Sequence, residues 1–143
     1  MTEEAPIVIQ ISEAASLALH SMMLLAQAEN EPLSVDAIAA RIDVSRAHLS
    51  KVLQRLSKSG LVRGTRGPGG GYALSRPPGE ISLLEVYVAI DGPLPRTTCL
   101  LGHSKCLLGG CLFGELLTQT TRSFEEHLAG HSLADIVRKG DFS

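Results

Sequence analysis

Residues 44–76 read VSRAHLSKVLQRLSKSGLVRGTRGPGGGYALSR, and this stretch decides the fold. Ser45 is a natural N-cap for the segment that follows, in which Leu49, Val52, Leu53 and Leu56 recur at helical spacing, and Gly60 supplies the C-terminal stop. The opposite face carries Arg46, Ala47, His48, Ser50, Lys51 and Arg55, side chains able to reach base edges and phosphates. Beyond Gly60, two short β-type runs at residues 61–63 and 72–74 flank a loop, residues 64–71, whose glycines permit positive φ and a close backbone approach to a ligand. Arg63 and Arg66 put charge at the base and tip of this hairpin wing, a shape suited to the minor groove. No Gly-Lys-Ser/Thr follows the glycines and no helix begins there, which argues against a phosphate-cradling nucleotide loop.

Immediately upstream, Ser34 caps VDAIAARI, with Val35, Ile38, Ala39 and Ile42 at helical spacing and Asp36 in the first turn. Asp43-Val44 is a short break. Two short helices joined by a tight turn, the second one basic, form a helix-turn-helix pattern. Residues 11–28, ISEAASLALHSMMLLAQA, start with Ser12 and Glu13 and read as a first helix. Its apolar residues cover much of the circumference, so it is expected to be buried on more than one side, in part against a second subunit.

Downstream, Pro77-Pro78 interrupts the chain, Ser82 caps LLEVYVAID, and residues 92–110 are loop-like. Residues 112–128 predict a long helix carrying Leu112, Phe113, Leu116, Leu117, Phe124 and Leu128, and residues 133–137 a final turn. An apolar helix beyond a complete winged-helix core is expected to pack on a partner chain. The predicted fold is mainly α with a small β-hairpin wing. A winged helix-turn-helix spans residues 11–78, with its recognition helix at about 45–59 and its wing at 61–76. Residues 79–137 then supply a linker helix, a cysteine loop at 99–111 and a dimerisation helix at 112–128.

Charge supports the nucleic-acid reading. Residues 41–76 hold eight Lys/Arg against the single acid Asp43, a balance of +7, although the whole chain of 143 residues has a net charge of −2. Clustered positive charge is the footprint of a phosphate-backbone binder. Trp is absent and only five aromatic residues occur, which disfavours stacking platforms for single-stranded nucleic acid. No apolar run is long enough to span a membrane, and Glu3 and Glu4 stand where a signal peptide would carry positive charge, so the chain is read as cytoplasmic. No paired carboxylates stand at informative spacing, and Cys106 with His103 lacks a third group to orient a base, so no enzymatic activity is expected.

Three cysteines, Cys99, Cys106 and Cys111, lie in a glycine-containing stretch ahead of the last long helix. An odd number packed into thirteen residues does not resemble a disulfide framework; soft thiolates so placed suit a metal or an iron-sulfur cluster. His103 and Lys105 nearby favour the thiolate form. Three thiolates leave a tetrahedral metal one ligand short, and three small apolar core residues remain the alternative from spacing alone.

From Leu61 onward, GLVRGTRGPGGGYALSRPPGEISLLEVYVAIDG resembles the wing and linker of the iron-sulfur winged-helix transcription regulators typified by IscR, NsrR and RirA, the Rrf2 family. The likeness extends back through AIAARIDVSRAHLSKVLQRLSKSGLV and SLALHSMMLLA, and forward to the three cysteines. It implies a homodimer on a near-palindromic double-stranded DNA operator, read as a repressor. An iron-sulfur cluster, [2Fe-2S] or [4Fe-4S], would set its affinity by sensing iron, redox state or oxygen, or nitric oxide. Carried over by position, Ser45, Arg46, Ala47, His48, Ser50 and Lys51 approach the major groove, and Arg66 with Gly67, Gly69 and Gly70 the minor groove.

The resemblance also makes Cys99, Cys106 and Cys111 cluster ligands. The sequence departs from its relatives at the fourth, because the position used by the IscR type is Gly114, and the position of the nitric-oxide-sensing type's Asp is Ser16. A redox-sensing branch places a His on the first helix, which falls on His20. His20 from the partner chain is thus the first candidate, ahead of Glu13, Ser16, His103 or a small molecule. The alternative function is a cluster-free winged-helix regulator with a thiol-redox, zinc or small-effector switch.

Overall fold

The structure, a computed structural model, describes residues 9–95, 99–101, 103, 107–109 and 112–139. Among them the chain forms α1 (Glu13–Gln27), α2 (Val35–Ile42), α3 (Arg46–Lys58), β1 (Val62–Thr65), β2 (Gly71–Leu74), α4 (Leu83–Asp91), α5 (Gly114–Ala129) and α6 (Leu133–Lys139). A short 3-10 turn at Pro78–Glu80 precedes α4.

Serine starts four of these helices, for a local reason. The hydroxyls of Ser12, Ser34, Ser45 and Ser82 accept from the backbone N–H of Ala15, Ala37, His48 and Glu85, satisfying donors that a first turn leaves without partners. The turn between α2 and α3 closes through Asp43 in the left-handed region (φ 53°), with the Val44 N–H donating to the Ala39 carbonyl at 3.1 Å. A non-glycine residue there is uncommon, and Asp is among the side chains that tolerate it.

A single apolar core runs through the molecule. Met22 and Leu25 of α1, Ile38 of α2, Leu49, Leu53 and Leu56 of α3, Val86 of α4 and Leu133 of α6 are all buried in it. The wide apolar cover of α1 is used within the chain, because α3, α4 and α6 all pack on it. Full burial of each such aliphatic side chain contributes about 1.5–3 kcal/mol, and together they hold α3 at a fixed angle beneath the surface it presents.

β1 and β2 pair antiparallel, Val62 opposite Leu74 and Thr65 opposite Gly71. Leu33 forms an isolated antiparallel bridge to β2: its N–H donates to the Tyr72 carbonyl at 2.9 Å, and the Tyr72 N–H donates to the Leu33 carbonyl at 2.8 Å. The wing is therefore tied to the residue just before the cap of α2. Gly71 makes this approach possible, since a Cβ there would lie 2.3 Å from the Leu33 carbonyl oxygen.

Two expectations need correction. The last long helix begins at Gly114, not at residue 112, and no side chain caps its first turn, so Leu112 and Phe113 precede the helix. Nor does it lack a partner in its own chain. Phe124 meets Tyr87 of α4 edge-on at 5.5 Å between ring centroids, Leu128 joins the core and Leu117 is buried. Its first turns differ, for Phe113 and Leu116 are exposed. No helix among the described residues is long and apolar enough to cross a membrane.

Candidate nucleic-acid interface

The surface above α3 is polar and open. Ser45, Arg46, Ala47 and Lys51 are exposed, and His48 and Ser50 are half-buried. Leu49, Val52, Leu53 and Leu56 of the same helix are held by the core. Arg46 Nε forms an ion pair with Asp36 Oδ1 of α2 at 2.7 Å. His48 Nδ1 lies 3.7 Å from Glu13 Oε1 at the start of α1. Arg55 is exposed, but its guanidinium also donates to the Ile90 carbonyl at the end of α4, which ties α3 to α4.

The wing stands beside the α3 N-terminus, and Asp36, Arg46, Gly64, Thr65, Arg66 and Tyr72 line the cleft between them. Its tip is a tight turn. The Gly70 N–H donates to the Gly67 carbonyl at 2.9 Å, with Pro68 second and Gly69 (φ 76°) third, the composition of a type II turn. The glycines divide by role. A Cβ on Gly67 or Gly69 would meet nothing within 4 Å, but both have positive φ (95° and 76°), which glycine adopts without strain, whereas one on Gly70 would lie 2.3 Å from the Thr65 carbonyl oxygen. Gly70 is therefore explained by the wing's own turn.

The C-terminus of α4 joins several parts of the molecule. The Ser12 N–H donates to Asp91 Oδ2 at 3.1 Å, and the Ser12 hydroxyl donates to Oδ1. One residue earlier, the Ile90 carbonyl accepts from Arg55. The Tyr87 hydroxyl donates to the Gln10 carbonyl at 2.8 Å, and burial, then the Asp91 charge, raise its pKa above the ordinary phenol value. α1, α3 and α4 are thus hydrogen-bonded at the point where the chain leaves for the cysteine segment. Sequence reading missed Leu33, the Asp36–Arg46 pair and this junction. Asp36 had a visible role as a first-turn acid, but nothing local connects it to Arg46.

Cys99 is half-buried, while Cys106 and Cys111 lie outside the described residues. Among the described residues no three His, Cys, Asp or Glu side chains come together as a metal site. His20 is exposed on α1, and its Nδ1 is 2.7 Å from the Ser16 carbonyl oxygen. His103 is also exposed. Leu101, Leu107, Leu108 and Leu112 are exposed as well, Leu112 by 93%.

Residues 11–139 match the Rrf2 family, described as iron-dependent transcriptional regulators. The chain is 36% identical over 126 residues to the HTH-type transcriptional regulator ORF2 of Azotobacter vinelandii, covering 87% of this chain and 72% of that one. It is 34% identical over 123 residues to the HTH-type transcriptional regulator IscR of Xenorhabdus nematophila, covering 85% of this chain and 70% of that one. Among solved structures, CymR, the global cysteine regulator of B. subtilis, superposes with a TM-score of 0.79 at 26% identity, covering 93% of this chain and 99% of that one. IscR of T. potens superposes with a TM-score of 0.74 at 27% identity, covering 93% and 89%. With the family model matching residues 11–139 and these relatives named as transcriptional regulators, the chain belongs to the Rrf2 family of DNA-binding transcriptional regulators.

Proposed function

We propose that the protein is a repressor that binds a near-palindromic operator as a homodimer, its affinity set by an iron-sulfur cluster. The observation that carries the DNA part is the joint exposure of the α3 N-terminus and the wing tip within the +7 segment, residues 41–76. Ser45, Arg46, Ala47, His48, Ser50 and Lys51 serve the major groove; Arg66, Gly67 and Gly69 serve the minor groove, and Gly70 shapes the tip. Two copies set their recognition helices about 34–36 Å apart, one turn of DNA, so small changes in the dimer alter affinity strongly. The exposed apolar side chains of residues 101–116 form part of the contact between subunits, and residues 79–137 serve as the regulatory half of each subunit.

The donor set fits an iron-sulfur cluster. Cys99, Cys106 and Cys111 supply three soft thiolates, and the exposed His20 of the second subunit supplies the fourth ligand. When bound, the cluster supplies a redox- and iron-sensitive link between the cysteine segment and the other subunit's α1. What this chain's own residues contribute is the junction at Ile90 and Asp91, through which the position of the segment bears on α3 by Arg55 and on α1 by Ser12.

The test is the visible spectrum of protein purified without oxygen, with iron and acid-labile sulfide assays. The proposal predicts a brown protein with matched iron and sulfide, bleached by Cys99→Ser and altered by His20→Ala. A colourless, sulfide-free protein that still binds DNA would overturn the cluster and leave the thiol or zinc alternative.

A further inference from the structure

Arg46 opens the recognition helix, and its Nε lies 2.7 Å from Asp36 Oδ1 of α2 as an ion pair. Asp36 lies in the first turn of α2, where the helix dipole favours its carboxylate. The two side chains are 69% and 73% exposed, and both face the cleft shared with Arg66 of the wing. An exposed ion pair of this kind contributes little to stability. Its effect on recognition is larger, because it decides which edge of the guanidinium is offered and how much charge goes with it.

A guanidinium carries five N–H donors in a planar fork. With the Asp36 carboxylate against Nε, the Nη groups remain for an outside acceptor pair. In the major groove the pair that matches this fork is O6 and N7 of guanine. The carboxylate also offsets the charge of Arg46, which weakens its attraction to any phosphate regardless of sequence. Both consequences act in one direction: less affinity for DNA in general, more for DNA with the right base.

We propose that Asp36 is a specificity-determining residue, which holds Arg46 by its Nε so that the Nη edge reads a guanine in each operator half-site. The assignment rests on the reading of α3 as the base-contacting helix. Asp36 is a positioning residue that acts through Arg46.

The test uses the full chain: wild type, Asp36→Asn, Asp36→Ala, Arg46→Lys and Arg46→Ala. Each is selected against a randomised duplex pool. Affinities are then measured against salt for the enriched duplex, for the same duplex with the guanine pair changed to A·T, and for unrelated DNA. The wild type is expected to prefer guanine by about tenfold or more, within the range of one bidentate contact. Asp36→Ala should cut that preference to a few-fold and bind unrelated DNA more tightly, with a salt slope steeper by up to about 0.9. Asp36→Asn, which removes the charge but keeps an acceptor, should fall between. Arg46→Lys should lose the preference and keep affinity for unrelated DNA. Thermal melts by circular dichroism check that every variant is folded.

An unchanged guanine preference in Asp36→Ala, or an enriched motif that Arg46→Ala leaves intact, would overturn the role of Asp36. A wild type that enriches no sequence, joined with unaltered DNA binding in an Arg46→Ala, Lys51→Ala, Arg66→Ala triple variant, would instead overturn the underlying reading of α3 and the wing.

Discussion

Residues 11–78 and residues 99–116 treat their apolar side chains in opposite ways. In the first region Leu25, Ile38, Leu49, Leu53 and Leu56 are buried, three helices begin on a serine cap, and the wing is tied back by Leu33. In the second, Leu101, Leu107, Leu108 and Leu112 are exposed by 77%, 75%, 92% and 93%, and the helix that follows starts without a side-chain cap. The first region is complete as a rigid support for a reading surface. The second presents leucines that its own chain does not cover, the pattern of a surface that finishes its structure against something else.

The contrast can be broken most severely on the reading surface. Replacing Arg46, Lys51 and Arg66 together by Ala is expected to weaken DNA binding by about a hundredfold or more at moderate salt and to lower the salt slope by about 1.8, one increment for each phosphate contact of Lys51 and Arg66. Titrations at several salt concentrations check it, and an unaltered slope would remove these side chains from the interface. The same triple should melt like the wild type, since none of the three is in the core.

Paired substitutions sharpen the comparison next. Leu53→Ala, in the core of α3, is expected to cost about 2–5 kcal/mol in denaturant unfolding. Leu112→Asp should change the stability of the isolated subunit by no more than about 0.5 kcal/mol while weakening self-association in sedimentation. Equal losses from both would deny that the regions differ.

Smaller effects probe the local devices. Ser45→Ala removes the hydroxyl that accepts from the His48 N–H and should cost about 1 kcal/mol in the same unfolding assay. At Tyr87 the sign follows from the raised pKa. The folded phenol holds its proton more tightly than the unfolded one, so the associated stability is present below pH 10 and is lost as pH rises through the folded value. Tyr87→Phe should therefore flatten the alkaline fall in melting temperature, at the expense of the bond to Gln10.

What was legible in the sequence was local. Serine caps, the 3.6-residue period of Leu49, Val52, Leu53 and Leu56, and the glycine-proline turn of the wing each depend on neighbours within a few residues, so the helix-turn-helix and its wing could be read directly. Contacts across the chain were not. Arg55 shares a helix face with side chains open to solvent, and only the packing of α4 turns it toward the Ile90 carbonyl. Asp36 and Arg46 sit on separate helices and meet because the turn at Asp43 sets the angle between them. The cysteines could be seen as a donor set, but their fourth ligand depends on another subunit, which periodicity within one chain does not encode.

The central claim is that the region with exposed leucines and cysteines governs the region that reads DNA. It is tested most directly by measuring operator affinity for protein purified without oxygen, before and after its iron is removed by a chelator. The account predicts at least about a tenfold change, typical of allosteric coupling, and no such change in Cys99→Ser. Equal affinity in the two states would contradict it.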